Sequence, residues 1–351
     1  MNSFLCTLNP ARVIFGPGTL ARVADEVTRL GAKRALVLST AFQAADARAL
    51  AGSLGDLAVG VFTDAAMHTP VDVTLRALTV FQDLRADCVI ALGGGSTIGL
   101  GKALAWRSDC PQIVIATTYA GSEVTPILGQ TENGEKTTLR DARVLPEVVI
   151  YDPDLTLGLP VGMSVTSGLN AMAHAIEGAY AQDRNPIGSL MAVEGVRALR
   201  DALAVIVQTP RDGAARGQAL YGSWLCGTVL GTVGMALHHK ICHTLGGSFD
   251  LPHAETHAVM LPHTAGYNAT AAQAELQTIA DLFGGDLGGG LWDYAKSLGA
   301  PVALRDLGMQ ESDLDRAADL AVKNPYWNPR PVTRDAIRAL LGRAWAGAKP
   351  Q

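Results

Sequence analysis

With 351 residues, 48% of them apolar and 17% charged, the chain has enough hydrophobic material for a large core and exceeds what one ordinary core supports, so two domains are expected. A net charge of −5 argues against a nucleic-acid or anionic-membrane partner, both of which favour a basic face, and leaves a small solute as the natural ligand. Cys6, Cys88, Cys110, Cys226 and Cys242 form no C-x-x-C pair, and MNSFLCTLNPARVIFG lacks a basic segment followed by a long apolar run; a reducing cytoplasm is expected.

In chain order, the first 150 or so residues alternate short β-branched runs with helical patterns, the form of a parallel sheet flanked by helices. Val13–Phe15 reads as a weak strand ended by Gly16-Pro17-Gly18, and Thr19–Leu30 as a helix. Arg34–Ser39 and Val59–Thr63 read as strands, Val71–Leu84 as a helix, Asp87–Leu92 as a strand, and Gln112–Ala116 as a further strand after one more helix. Between Gln130 and Arg140 the Asn-Gly pair signals a two-residue hairpin turn. Ile150-Tyr151-Asp152-Pro153 closes the last strand, beyond which the Ala- and Leu-rich sequence reads as helical throughout. The boundary is therefore placed after residue 153, with 1–153 an α/β domain and 154–351 an all-helical one.

Gly93-Gly94-Gly95-Ser96 follows a strand and opens a helix that includes Lys102. Glycines there let the backbone approach a pyrophosphate, and the helix N-terminus offers unpaired N–H groups and a positive dipole end. Thr117 and Thr118 lie at the carboxyl end of the next strand, the edge at which open α/β sheets bind ligands. Ser39 ends an earlier strand, where many dinucleotide enzymes place an acidic residue against the adenosine ribose; a serine removes the repulsion of a 2′-phosphate, so both NADH and NADPH are expected to work.

The second half concentrates histidines. Asn170 and His174 are four residues apart, as are His239 and His243; His238 and Lys240 lie in the same run, and His253 and His257 follow a Gly246-Gly247 loop. One reading is a divalent-metal site, although Asn170, a weak neutral donor, stands where a carboxylate is wanted. The other is a metal-free pocket in which imidazoles, Lys240 and the Asn170 amide bind substrate carboxylates and handle a proton.

Together these motifs resemble the iron-containing (group III) alcohol dehydrogenase superfamily over nearly the whole chain. Gly93–Ser96 with Lys102 is similar to its Gly-Gly-Gly-Ser motif, TTYAGSEVTP to its Thr-Thr segment, and NPYWNPRPV (324–332) to its C-terminal signature. The resemblance implies a Rossmann-like α/β domain with a parallel sheet plus an all-α domain, the dehydroquinate synthase-like arrangement. It implies a cofactor contact at Lys136 and a homodimer. The family's metal ligands fall on Asn170, His174, His239 and His253, with His243 a further histidine of the site. Asn170 for aspartate, and Gly99 where most members carry an acid, make the chain similar to the maleylacetate reductase branch. That likeness implies metal-free, NADH- or NADPH-dependent reduction of maleylacetate to 3-oxoadipate in bacterial degradation of resorcinol-type and chlorinated aromatics.

In that reading His243, His253, His239 and His174 with Asn170 serve a dicarboxylate, Lys240 assists, and Tyr326 or Arg330 could reach a carboxylate. Against the last two stand simpler uses: Arg330 tying down a Pro-rich loop and Tyr326 packing on Trp327. The rival functions are a metal-dependent alcohol or aldehyde dehydrogenase and a non-catalytic dinucleotide sensor.

Overall fold

The computed structural model describes residues 4–8, 11–132 and 135–350, without the side chains of residues 135 and 136; the Asn133-Gly134 turn and the Lys136 side chain lie outside the described residues. The chain divides into two compact units, one of residues 8–159 and the other carrying everything from Pro160 onward.

The first unit is a six-stranded parallel sheet with an antiparallel hairpin. Its strands are β1 (Arg12–Phe15), β2 (Ala35–Leu38), β3 (Ala58–Phe62), β4 (Cys88–Gly93), β5 (Gln112–Ala116), the hairpin β6 (Ile127–Glu132) and β7 (Glu135–Arg140), and β8 (Val148–Tyr151), with helices α1 (Val23–Arg29), α2 (Ala44–Leu54), α3 (Val71–Asp83) and α4 (Gly95–Ser108). Sheet order is β1-β8-β5-β4-β2-β3, so the chain reverses its direction of winding between β2 and β4. The side-chain period of two sorts each strand between two cores. Val37, Ile90 and Ile113 pack with Val23 and Val27 of α1 and Leu50 of α2, whereas Leu36, Leu38 and Val89 pack with Phe81 of α3 and Leu104 of α4.

The expected helix over Thr19–Leu30 is a 3-10 turn, Thr19–Arg22, continued by α1. Helix α2 carries no sequence expectation; of its residues only Ala47, Leu50 and Leu54 are buried. The first unit runs to Leu159, past the expected residue 153, because the Asp152 carboxylate accepts N–H bonds from Gly18, Leu20 and Asp154 and ties the following 3-10 turn to the start of the sheet.

The second unit is helical among its described residues: α5 (Val161–Ala179), α6 (Pro186–Gln208), α7 (Gly213–Thr232), α8 (Leu237–Phe249), α9 (His253–Ala269), α10 (Gln273–Asp281), α11 (Leu287–Ser297), α12 (Leu314–Val322) and α13 (Arg334–Ala346). Every residue of α5 from Ser164 to Ala179 is buried, so the helix has no solvent face on which to carry Asn170, His174 or Glu177. Helices α8, α9, α12 and α13 share a core built on Ile241, Leu245, Met260, Leu304, Ile337 and Leu341. Among the described residues no single helix is long and apolar enough to cross a membrane.

Candidate active site

In the first unit, β4 ends at Gly93 and α4 begins at Gly95, with no side-chain cap on its first turn. A Cβ at Gly94 would sit 2.7 Å from the Thr118 methyl, whereas one at Gly95 meets nothing within 4 Å. The sheet thus closes tightly under Gly94, and the uncapped amides of Gly95 and Ser96 open onto free space that suits a diphosphate. Thr117 donates its backbone N–H to the Gly93 carbonyl, and its hydroxyl accepts a bond from Gln43 Nε2 at 3.1 Å. Gly93, Gly94, Gly95, Ser96, Thr117 and Thr118 are therefore brought together at the carboxyl ends of β4 and β5, beside the reversal in winding.

Ser39 is not available to a ribose. It is wholly buried and its hydroxyl donates to the Thr40 carbonyl; β2 ends one residue earlier than the sequence reading, so the partly exposed side chain at this edge is Thr40. Gln43 was not singled out from sequence, since a lone glutamine in a helical stretch carries no signal.

Lys102 is buried and binds no ligand surface. Its Nζ donates within 2.6–2.9 Å to the carbonyls of Ser122, Thr125 and Ile127 and to the Thr125 hydroxyl, pinning the TTYAGSEVTP segment to α4. Burial pulls its pKa down to about 7, opposed by the nearby Glu123 carboxyl, while four short contacts favour the ammonium. Gly99 has a local cause as well. A Cβ there would lie 2.2 Å from Thr69 Oγ1, and Thr69 is buried in a left-handed conformation (φ 48°) next to His68 (φ 63°).

In the second unit six of the eight histidines cluster: His174 from α5, His238, His239 and His243 from α8, His253 and His257 from α9. Ring centroids lie 5.0 Å apart for His174–His239, 5.9 Å for His239–His243, 5.2 Å for His239–His257 and 4.4 Å for His253–His257. His174 Nδ1 is 2.9 Å from His239 Nε2, and Asn170 Nδ2 is 3.4 Å from His174 Nε2. His238 Nε2 is 2.9 Å from His257 Nδ1. Burial, reinforced by the neighbouring imidazoles, holds His238 and His257 far below the usual histidine pKa, so both are neutral. His174 and His239 are only 4% and 3% exposed, whereas His243 and His253 are partly exposed.

The residue absent from the sequence reading is Glu177. It lies 1% exposed, three positions after His174, and the lone carboxylate of a buried helix was the available signal. Its oxygens accept from His239 Nδ1 (2.5 Å), from the backbone N–H of His238 (2.6 Å) and of His239 (3.3 Å), and from the Tyr180 hydroxyl (3.4 Å). Burial alone would raise its pKa, but His239 and the backbone donors outweigh that and hold it below the ordinary carboxylate value.

Lys240 Nζ stands 5.8 Å from the Tyr326 ring centre, so this pair joins α8 to the 324–332 segment. Arg330 is engaged elsewhere: its guanidinium lies 4.0 Å over the Tyr267 ring and donates to the Tyr267 carbonyl, while the Tyr267 hydroxyl donates to the Pro331 carbonyl. It ties down the Pro-rich loop.

For a metal, the donor set does not fit. Asn170 offers an amide in place of a carboxylate and turns its nitrogen toward His174 Nε2, and His239 Nε2 faces His174 Nδ1 at 2.9 Å.

Comparison with known proteins agrees with this architecture. Residues 10–153 match the model of iron-containing alcohol dehydrogenases and residues 164–345 that of the C-terminal part of the Fe-containing alcohol dehydrogenase family. The chain belongs to the iron-containing alcohol dehydrogenase family. It is 64% identical to the maleylacetate reductase of Rhizobium sp. (strain MTP-10005) and 55% identical to that of Burkholderia cepacia, each over the whole of both chains. The crystal structure of maleylacetate reductase from Agrobacterium tumefaciens superposes with a TM-score of 0.97 at 63% identity, covering all of both chains.

Proposed function

We propose that the chain reduces the carbon–carbon double bond of maleylacetate to 3-oxoadipate, using NADH or NADPH and no metal. The observation that carries this reading is the cluster itself: imidazoles and an amide where metal-dependent relatives need a carboxylate, with the N-termini of α8 and α9 at His238 and His253. Position 170 thus places no negative charge beside a dicarboxylate, and the N-terminus of α9, which begins at His253, adds positive potential. The high identity to maleylacetate reductases over the full length supports the same substrate.

The nicotinamide, when bound, supplies the hydride, which goes to the alkene carbon β to the ketone. The electron pair of the double bond moves into an enolate, and a proton on the adjacent carbon completes the product. An enolate spreads its charge over carbon and oxygen, so hydrogen-bond donors suffice where a simple aldehyde, forming a localised alkoxide, gains more from a Lewis acid. His243 and His253, the partly exposed imidazoles, hold the enolate oxygen or deliver the proton, and Lys240 contributes positive charge. The amides at Gly95 and Ser96 hold the cofactor diphosphate in the first unit.

The test is NADH oxidation with maleylacetate before and after exhaustive chelation, with His243→Ala alongside. Full activity after chelation and a loss of kcat in the folded variant are expected. Activity that disappears on chelation and returns with Fe²⁺ or Zn²⁺ overturns the metal-free reading.

A further inference from the structure

Glu177 sits outside any direct role in the proposed reaction, yet it accepts four hydrogen bonds. Both of its oxygens face N–H donors: one the His238 amide, the other the His239 amide and ring nitrogen. A proton on either oxygen would point at a donor, so the geometry requires a carboxylate that only accepts. It also supplies the cap that α8 lacks, since Ala236 at the helix start has no side chain to offer, and a carboxylate there meets the positive end of the helix.

The consequences propagate in one direction. An acceptor at Glu177 makes His239 Nδ1 an N–H and, in the neutral ring, leaves Nε2 bare. The bare Nε2 then accepts from His174 Nδ1–H at 2.9 Å, which leaves His174 Nε2 bare in turn. A bare Nε2 requires a donor opposite it, and Asn170 presents its amide nitrogen there. An ionised aspartate at 170 would place two lone-pair groups face to face. A second chain runs separately: Thr264 donates its hydroxyl to the Met260 carbonyl at 2.9 Å, so it accepts from His238 Nδ1–H, and the bare His238 Nε2 accepts from His257 Nδ1–H.

The Glu177 carboxylate is fixed from the far side too. Tyr180, which donates to it, accepts from Asn268 Nδ2 at 3.0 Å, and Asn268 exchanges paired amide bonds of 2.8 and 2.9 Å with Asn328 of the 324–332 segment. The C-terminal signature thereby reaches Glu177 through two residues, Asn268 and Tyr180.

We infer that Glu177 is the positioning residue of the site: it sets the tautomer and ring orientation of His239 and, through it, of His174, and so dictates that position 170 carry a hydrogen-bond donor. Both rings then spend their N–H groups inside the chain, leaving His243 and His253 as the imidazoles that face the substrate. Only the kinetic arm of the test rests on the proposed reduction; the tautomers are read in the resting full-length protein.

The experiment labels the histidine rings with ¹⁵N and records two-bond ¹H–¹⁵N correlations, which separate Nδ1–H from Nε2–H tautomers, in the wild type, Glu177→Gln and Asn170→Ala. Nδ1–H is expected for His174 and His239 in the wild type. Asn170→Ala should leave both unchanged, because the direction is set from the other end. A glutamine at 177 must turn its NH₂ toward one of the three N–H donors. Glu177→Gln should therefore bring His239 partly to Nε2–H and lower kcat about 10- to 100-fold, with KM for NADH moved less than about twofold. Nε2–H on either ring in the wild type, a tautomer change in Asn170→Ala, or wild-type tautomers and kcat in Glu177→Gln each overturns the inference. If Glu177→Gln does not fold, the other two spectra still decide. The expected tautomers in a protein that oxidises no NADH with maleylacetate defeat the proposed function alone.

Discussion

Substituting Asn170→Asp tests the electrostatic argument most directly. The side chain is 4% exposed and its amide faces His174 Nε2 at 3.4 Å, so the variant introduces a buried negative charge with a lone pair opposite it. At an effective dielectric of about 20, that charge and a substrate carboxylate about 6 Å away repel by about 3 kcal/mol, which corresponds to about a hundredfold loss in kcat/KM for maleylacetate. Because the interaction is coulombic, a monoanionic enone should lose less than the dianion. The same carboxylate restores the family's ligand set of position 170 with His174, His239 and His253, so affinity for Zn²⁺ or Fe²⁺ should rise, read as metal retained per chain after dialysis. Steady-state assays with both substrates, on protein stripped of metal, separate the two effects. A variant that keeps kcat/KM within about twofold and takes up no additional metal refutes the reasoning and makes Asn170 incidental.

Gly99→Asp, which restores the residue type of most relatives, should drive its Cβ into Thr69 and lower stability by about 1–3 kcal/mol in denaturant unfolding, with Gly99→Ala behaving alike and Thr69→Gly relieving both. The ratio of kcat/KM for NADH and NADPH should lie within about tenfold: no acid stands between Ser39 and Gln43, so neither cofactor meets a fixed charge there. Strong exclusion of NADPH would contradict that. Lys102, at about 7 when folded against 10.5 when unfolded, makes the unfolded state bind the extra proton between those values. On its account stability should rise with pH through that window by up to about 1.4 kcal/mol per unit, a slope that Lys102→Met removes. If the wild type and variant run parallel, the four acceptors keep the ammonium charged throughout.

Much of the fold can be read from local pattern. Continuous β-branched runs such as RALVLS, DCVIAL and QIVIA mark strands buried on both faces, and the absence of such runs beyond Tyr151 marks the helical unit, because both features depend on neighbours a few positions away. The glycine turn is legible for the same reason: strand, Gly93–Gly95 and helix follow one another directly. The histidines at positions four apart were visible as pairs, and Asn170 as an exchanged ligand. Tertiary structure decided the rest. It withdrew Ser39 behind β2, carried the first unit to Leu159 through the Asp152 contacts, and engaged Arg330 on Tyr267. It also determined which imidazoles face each other and gave Glu177, 61 and 62 residues before its backbone partners, control over their hydrogen-bond direction. Spacing along a helix says which side chains share a face; only packing between helices says which nitrogen meets which, and that choice governs the chemistry of the cluster.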